Sequence, residues 1–218
     1  MIELRSITKS YRTNQGRKYI FRDLSFEIPS NRNVAIIGRN GAGKSTLMRL
    51  LGGQDTPDSG KIISSKTISW PVGLSGGFQG SMTGRQNVKF VARVYGAEGE
   101  RMKEVVKYVE EFAEIGEYFD QPVNTYSSGM RGRVAFGLSF AFDFDYYLVD
   151  EAMSVGDAHF KKRATEAFEE RVGKANILLV THGMSQVRSF CDMVLLLNNG
   201  KIQRFDDVEE GIAAYTSL

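Results

Sequence analysis

At 218 residues, 42% of them hydrophobic and 25% charged, the chain can build one sizeable core that buries roughly 70% of its unfolded surface. A net charge of +2 gives no ground for a nucleic-acid partner, and no stretch approaches the about 18 apolar residues of a membrane span. The single cysteine, Cys191, excludes an internal disulfide; with no apolar leader after Met1, a soluble, cytosolic, single-domain protein is expected.

Ile2, Leu4 and Ile7, then Leu24, Phe26 and Ile28 beyond a polar turn at residues 13–16, predict antiparallel strands at the start. Tyr11 falls at the end of the first, where its ring either stacks on an adenine or lies plainly on the surface. Residues 34–37 are a short apolar strand run. Next, Gly38-Arg39-Asn40-Gly41-Ala42-Gly43-Lys44-Ser45-Thr46 fills every fixed position of the pattern G-x-x-x-x-G-K-[S/T], and a helix follows. Strand, loop and helix in this order form a phosphate cradle. Glycines bare the backbone N–H groups, the helix directs its positive end at the same anion, and Lys44 adds a full charge on the β and γ oxygens. Ser45 would place its hydroxyl on Mg²⁺.

Turn signals at Gly52-Gly53 and at residues 58–61 precede Ile62-Ile63 and Ile68-Ser69-Trp70, which are expected to form a further hairpin. Segment 71–84 has five glycines and no periodicity, and is expected to be a long functional loop. Thr83 and Gln86 form a capping-box pair before Val88, Val91, Ala92 and Tyr95, and a second helical stripe runs from Met102 to Ala113. Val134, Ala135, Leu138, Ala141 and Phe142 define a third helix, Tyr146 to Val149 a buried strand, and 160–172 a charged helix. Residues 177–180 and 194–197 are unalternated apolar strands of a largely parallel, doubly wound sheet. Asn198-Asn199-Gly200 then turns into 202–205, and Asp207 with Glu210 caps a last helix.

Asp150 ends a strand, as a carboxylate that holds Mg²⁺ must, and Glu151 beside it is the candidate general base; the alternative is an acidic pair capping the next helix. His182 follows the strand 177–180 directly, so a parallel sheet brings it to the same edge as Lys44 and Asp150, either to donate to a γ-phosphate or merely to start a helix. His159 lies in a charged stretch and is expected to be solvated.

These residues resemble the nucleotide-binding subunit of ATP-binding-cassette transporters, over essentially the whole chain. Tyr126-Ser127-Ser128-Gly129-Met130-Arg131 is similar to that family's signature, usually Leu-Ser-Gly-Gly-Gln, with Ser127 and Gly129 kept. The resemblance implies an α/β fold: a P-loop NTPase core with a mostly parallel sheet, an N-terminal antiparallel β region and an inserted helical subdomain of about residues 85–140, the core being 1–84 and 141–218. It implies ATP and Mg²⁺ as cofactors and a head-to-tail homodimer in which Ser127, Ser128, Gly129 and Met130 reach the ATP of the other subunit. It makes Tyr11 the adenine platform, Glu151, His182 and Lys44 the catalytic set, and 154–157 the D-loop ending in Asp157. The family also has a glutamine that reaches Mg²⁺; counting back from Asn87 lands near Leu74, and Gln79 is the candidate in this segment, either folded inward or turned to solvent.

Segments 70–74, 83–88, 126–130 and 150–157 are similar to capsular-polysaccharide exporters. That branch implies an ATPase at the cytoplasmic face of the bacterial inner membrane. It would be held there by a membrane-spanning permease and joined through it to other capsule export proteins, with no nucleic acid and no added substrate-reading domain after Leu218. The alternatives are an exporter of O-antigen or teichoic acid, or an ABC ATPase outside transport.

Overall fold

Alternation of apolar and polar side chains in the first 28 residues produces two long antiparallel strands, β1 (Ile2–Thr13) and β2 (Gly16–Ile28), with Leu4 opposite Phe26 and Ile2 opposite Ile28. The computed structural model describes residues 1–73, 76–150 and 157–218, with the side chain of Val172 excepted. After β3 (Val34–Ile37) and α1 (Lys44–Leu51) come β4 (Ser59–Ser64) and β5 (Ile68–Pro71), then α2 (Gly84–Val94), α3 (Gly99–Ala113), two 3₁₀ turns and α4 (Ser128–Phe140). The chain continues through β6 (Tyr146–Asp150), α5 (Ala158–Val172), β7 (Asn176–Val180), α6 (Met184–Phe190), β8 (Met193–Asn198), β9 (Lys201–Phe205) and α7 (Val208–Thr216).

The chain divides into two compact units. The first comprises Met1–Pro71, Phe144–Glu151 and Arg171–Leu218. Its sheets are β2-β1-β4, antiparallel, and β5-β6-β7-β3-β8-β9, parallel except for the last pair. β3 and the first four residues of β6 are buried throughout, which is why they read as continuous apolar runs. One core joins Ile2, Leu4 and Ile7 to Leu47, Leu50, Leu148, Leu178 and Leu195, so α1 is anchored directly under the loop that precedes it.

The expected hairpin of Ile62-Ile63 with Ile68-Ser69-Trp70 does not form. β4 pairs with β1, Ile62 opposite Leu4, whereas β5 passes to the other sheet and runs parallel to β6. The Ser64 hydroxyl turns the chain by donating to the Lys66 carbonyl and accepting from its N–H, and buried Ser69 accepts the Leu148 N–H at 2.9 Å. A turn signal in the sequence is the same whether the chain returns to its own sheet or crosses to another. The edge of buried β6 needs partners for its backbone, and β5 supplies them.

Asp145 fixes that crossing. Its carboxylate accepts the Thr67 N–H and hydroxyl, each at 2.8 Å, and the Lys66 ammonium at 2.9 Å. The Lys66 ammonium first, then the Thr67 donors, hold its carboxyl down at about 2. An unfolded aspartate titrates at roughly 3.9, so this contribution is present above about pH 4 and lost as pH falls through about 2. Asp145→Asn should lower the melting temperature at neutral pH by about 2–4 °C and flatten its acid limb between these values. An acid limb identical to that of the parent protein would remove Asp145 from this role.

The second unit, Val72–Asp143 with Ala152–Glu170, is helical. It starts at Val72 and takes in most of α5, whereas the resemblance implies about 85–140. Phe112, Phe136, Phe140 and Phe160 form its aromatic centre, with ring centroids 5.1–6.5 Å apart, and Gly137 lets the Phe112 ring lie against α4. α4 begins at Ser128, six residues before the apolar set that defines it in the sequence. Arg85 ties three elements together, bonding both carboxylate oxygens of Glu110 and of Asp120 with its plane over Phe119.

Candidate functional site

β3, β6 and β7 are parallel neighbours, so their C-terminal ends, Ile37, Asp150 and Val180, open on one edge of the sheet. Residues 38–43 leave β3 there. Gly41 (φ +80°) and Gly43 (φ +107°) take left-handed conformations, and a Cβ on Gly43 would stand 2.7 Å from the Ile20 methyl. A Cβ on Gly38 would run into the Leu197 carbonyl. The spacing of this motif therefore reflects both backbone shape and the closeness of two neighbouring strands.

Gly43 precedes α1 with no side-chain cap, and the first turn contains no acid, so the leading amides and the dipole of this helix are directed into the loop. Lys44 is only 8% exposed; its ammonium lies on the Gly38 carbonyl at 2.7 Å and the Arg39 carbonyl at 3.2 Å. The resulting cleft of about 360 Å³ is lined by Asn40, Gly41, Gly43, Lys44, Ser45, Thr46, Asp150 and His182, together with Lys18, Ile20 and Val180. The loop and helix-start residues with the cations Lys18 and Lys44 thus share the cleft with one carboxylate and one imidazole, an arrangement suited to a polyphosphate accompanied by a divalent cation. Among the described residues no set of three His, Cys, Asp or Glu forms a metal cage. Ser45 and Asp150 fit an ion that takes its remaining ligands from phosphate and water.

Lys18 and Ile20 are additions to the sequence reading, and so is Tyr215, whose hydroxyl lies 3.5 Å from the His182 Nδ1. A strand residue and a residue of the last helix bear no fixed spacing to the loop, so no sequence pattern could have picked them out. Tyr11 does not line this cleft. Its hydroxyl donates to Asp55 at 2.7 Å and accepts from Arg49 at 3.1 Å, with the Lys9 ammonium 5.0 Å from the ring. Lys9 above all, at 2.6 Å, holds the Asp55 carboxyl below its usual range.

In the helical unit, the Ser127 hydroxyl accepts the Met130 N–H at 3.1 Å and so caps α4, with Ser128 exposed in its first turn. Tyr126 is buried beneath, accepting from the Gly84 N–H and donating to the Tyr118 carbonyl. A Cβ on Gly129 would meet nothing closer than 3.8 Å, so packing within the chain does not require a glycine there. Asp157 caps α5 through the Phe160 N–H and pairs with Arg133 at 2.6 Å; that N–H first, then Arg133, lowers its carboxyl. Gln79 is exposed, and its backbone is held from both sides by the amide of Asn87, which is only 2% exposed. Glu151, Leu74 and the D-loop residues 154–156 lie outside the described residues. His159 is exposed, as expected, with Nδ1 3.5 Å from Glu114. Cys191 is buried, which pushes its thiol up to about 12 and leaves it inert. No helix among the described residues is long and apolar enough to cross a membrane.

The ABC transporter family pattern matches residues 21–154. The chain is 58% identical over 216 residues to the polysialic acid transport ATP-binding protein KpsT of Escherichia coli, spanning 99% of this chain and 96% of that protein. It is 42% identical to the capsule polysaccharide export ATP-binding protein CtrD of Neisseria meningitidis serogroup B over the full length of both. In fold it is similar to a dimeric ATP-binding cassette in a post-hydrolysis state with ADP and phosphate (TM-score 0.75, 21% identity, 94% of this chain and 97% of that one).

Proposed function

The chain belongs to the ABC transporter family, and from that premise we propose that it is the ATP-binding and ATP-hydrolysing subunit of a bacterial exporter of capsular polysaccharide. The observation that carries this reading is end-to-end similarity to two ATP-binding proteins of capsule-type polymer transport. The cleft supports it by bringing Lys44, Ser45, Asp150 and His182 together at one edge of the sheet.

The amides of residues 41–46 and the Lys44 ammonium would bind the phosphates, with Lys44 moving from the Gly38 and Arg39 carbonyls to the β and γ oxygens. Ser45 and Asp150 would hold Mg²⁺, which supplies charge neutralisation on the phosphate oxygens when bound. His182, steadied by Tyr215, would donate to the γ-phosphate, and Glu151 would take the proton of the attacking water. Tyr11, which does not line the phosphate cleft, would carry the adenine outside it through its ring face, its hydroxyl staying on Asp55. The exposed start of α4, with a glycine the chain itself does not need, would meet the γ-phosphate held by a second copy in a head-to-tail dimer.

The subunit would work at the cytoplasmic face of the inner membrane, through a permease and, by way of it, the other capsule export proteins. Expression in a strain lacking only the corresponding subunit of a capsule exporter should restore surface polymer. An active ATPase that restored teichoic acid or O-antigen export but no capsule would sink the assignment.

Phe78 and Met82, half-buried on the glycine-rich loop, would form part of the surface that meets the permease, and Gln79 would reach Mg²⁺. Phe78→Asp should leave ATP binding intact and stop export; unimpaired export would exclude the loop from coupling. Gln79→Ala should lower hydrolysis with binding unchanged, and normal turnover would leave Gln79 as a solvent residue.

A further inference from the structure

Beside the phosphate cleft, within the same unit, lies a wider one of about 850 Å³ between β2, the tip of the phosphate loop and the β8–β9 turn. Lys18, Arg22, Arg39 and Lys201 line it, opposed only by the terminal carboxyl group of Leu218, which lies on Arg39. Lys18, Arg22 and Lys201 take part in no ion pair among the described residues. Arg22 is held in place by its guanidinium lying 3.5 Å over the Tyr19 ring, and Arg39 by a 3.4 Å bond to the Leu218 carbonyl. Lys18, Ile20, Asn40 and Gly41 line both clefts, so the two are continuous.

We propose that this basic cleft is an electrostatic antechamber that steers the nucleotide triphosphate to the phosphate loop. The inference rests on the nucleotide-binding reading above and extends it to the route of entry. With four cations against one terminal carboxyl the cleft is net positive, and a concave surface of one predominant charge focuses its field outward and raises the association rate of an oppositely charged ligand by roughly 10–10³. Because Arg22 and Lys201 lie outside the phosphate cleft, their charges act on the approaching anion and do not contribute to holding it once bound.

The test is stopped-flow binding of a fluorescent ATP analogue to the full chain, in parent protein and in the double variant Arg22→Gln, Lys201→Gln. At an ionic strength of about 0.01 M, where screening reaches about 30 Å, the association rate should fall roughly five- to tenfold. The dissociation rate and the hydrolysis rate at saturating ATP should stay those of the parent. The two proteins should converge near 1 M salt, where screening shortens to about 3 Å. The charge-keeping pair Arg22→Lys, Lys201→Arg should associate like the parent. Equal association rates at low salt would overturn the proposal, as would a deficit that persisted near 1 M or appeared only in dissociation. If the parent itself took up no nucleotide, the reading of the phosphate cleft would fall and the antechamber with it.

Discussion

Lys44→Ala should weaken ATP binding by on the order of 10²–10³ while leaving the protein folded. The side chain is buried at the mouth of the loop, so its charge meets the phosphates with little water between them. Truncating one partner of a buried, hydrogen-bonded charge pair costs about 2–5 kcal/mol, which sets that range. In the structure the ammonium satisfies the buried Gly38 carbonyl and the part-buried Arg39 carbonyl, so removing it should also lower the melting temperature by about 2–4 °C without abolishing the fold. Equilibrium titration with a fluorescent ATP analogue and a thermal melt of the same sample separate the two effects. Binding within threefold of the parent would take Lys44 out of the phosphate site, and loss of binding together with loss of the cooperative melt would assign it a structural role instead.

Glu151→Gln is expected to give the opposite pattern: ATP bound as in the parent, hydrolysis lower by about 10²–10⁴. The amide keeps the size of the side chain but cannot accept a proton from water, and a positioned base contributes rate of that order. Residues 38–46 are untouched, so binding should persist and ATP-bound dimers should accumulate, visible by size-exclusion chromatography with bound nucleotide measured after denaturation. Near-normal turnover would remove Glu151 from the role of base. Turnover lost through failure to bind ATP would show that the carboxylate shapes the pocket rather than the chemistry.

How legible each feature was depended on how far apart its parts lie in the chain. The phosphate loop, the capping box of Thr83 with Gln86 and the cap Asp207 sets on α7 through the Glu210 N–H could all be read from residues within a few positions of one another, because the hydrogen bonds that define them close within one turn. The edge of the sheet on which Asp150 and His182 emerge was legible too, since apolar runs buried on both faces imply parallel strands and parallel strands share an end.

What the local pattern could not contain was the choice among distant partners. Whether β5 returned to β4 or crossed to β6 depended on which edge had more backbone to satisfy and on Asp145, 78 residues from Thr67. That Tyr11 gives its hydroxyl to Asp55, that Tyr215 stands beside His182 and that Arg22 and Lys201 share one cleft are likewise outcomes of the packed chain. By itself, then, the sequence determined a phosphate-binding α/β protein of the cassette type, because that chemistry is written in contiguous residues. The tertiary structure alone decided which side chains line the two clefts, because these come from segments up to about two hundred residues apart, brought together only by competition for buried surface and backbone partners.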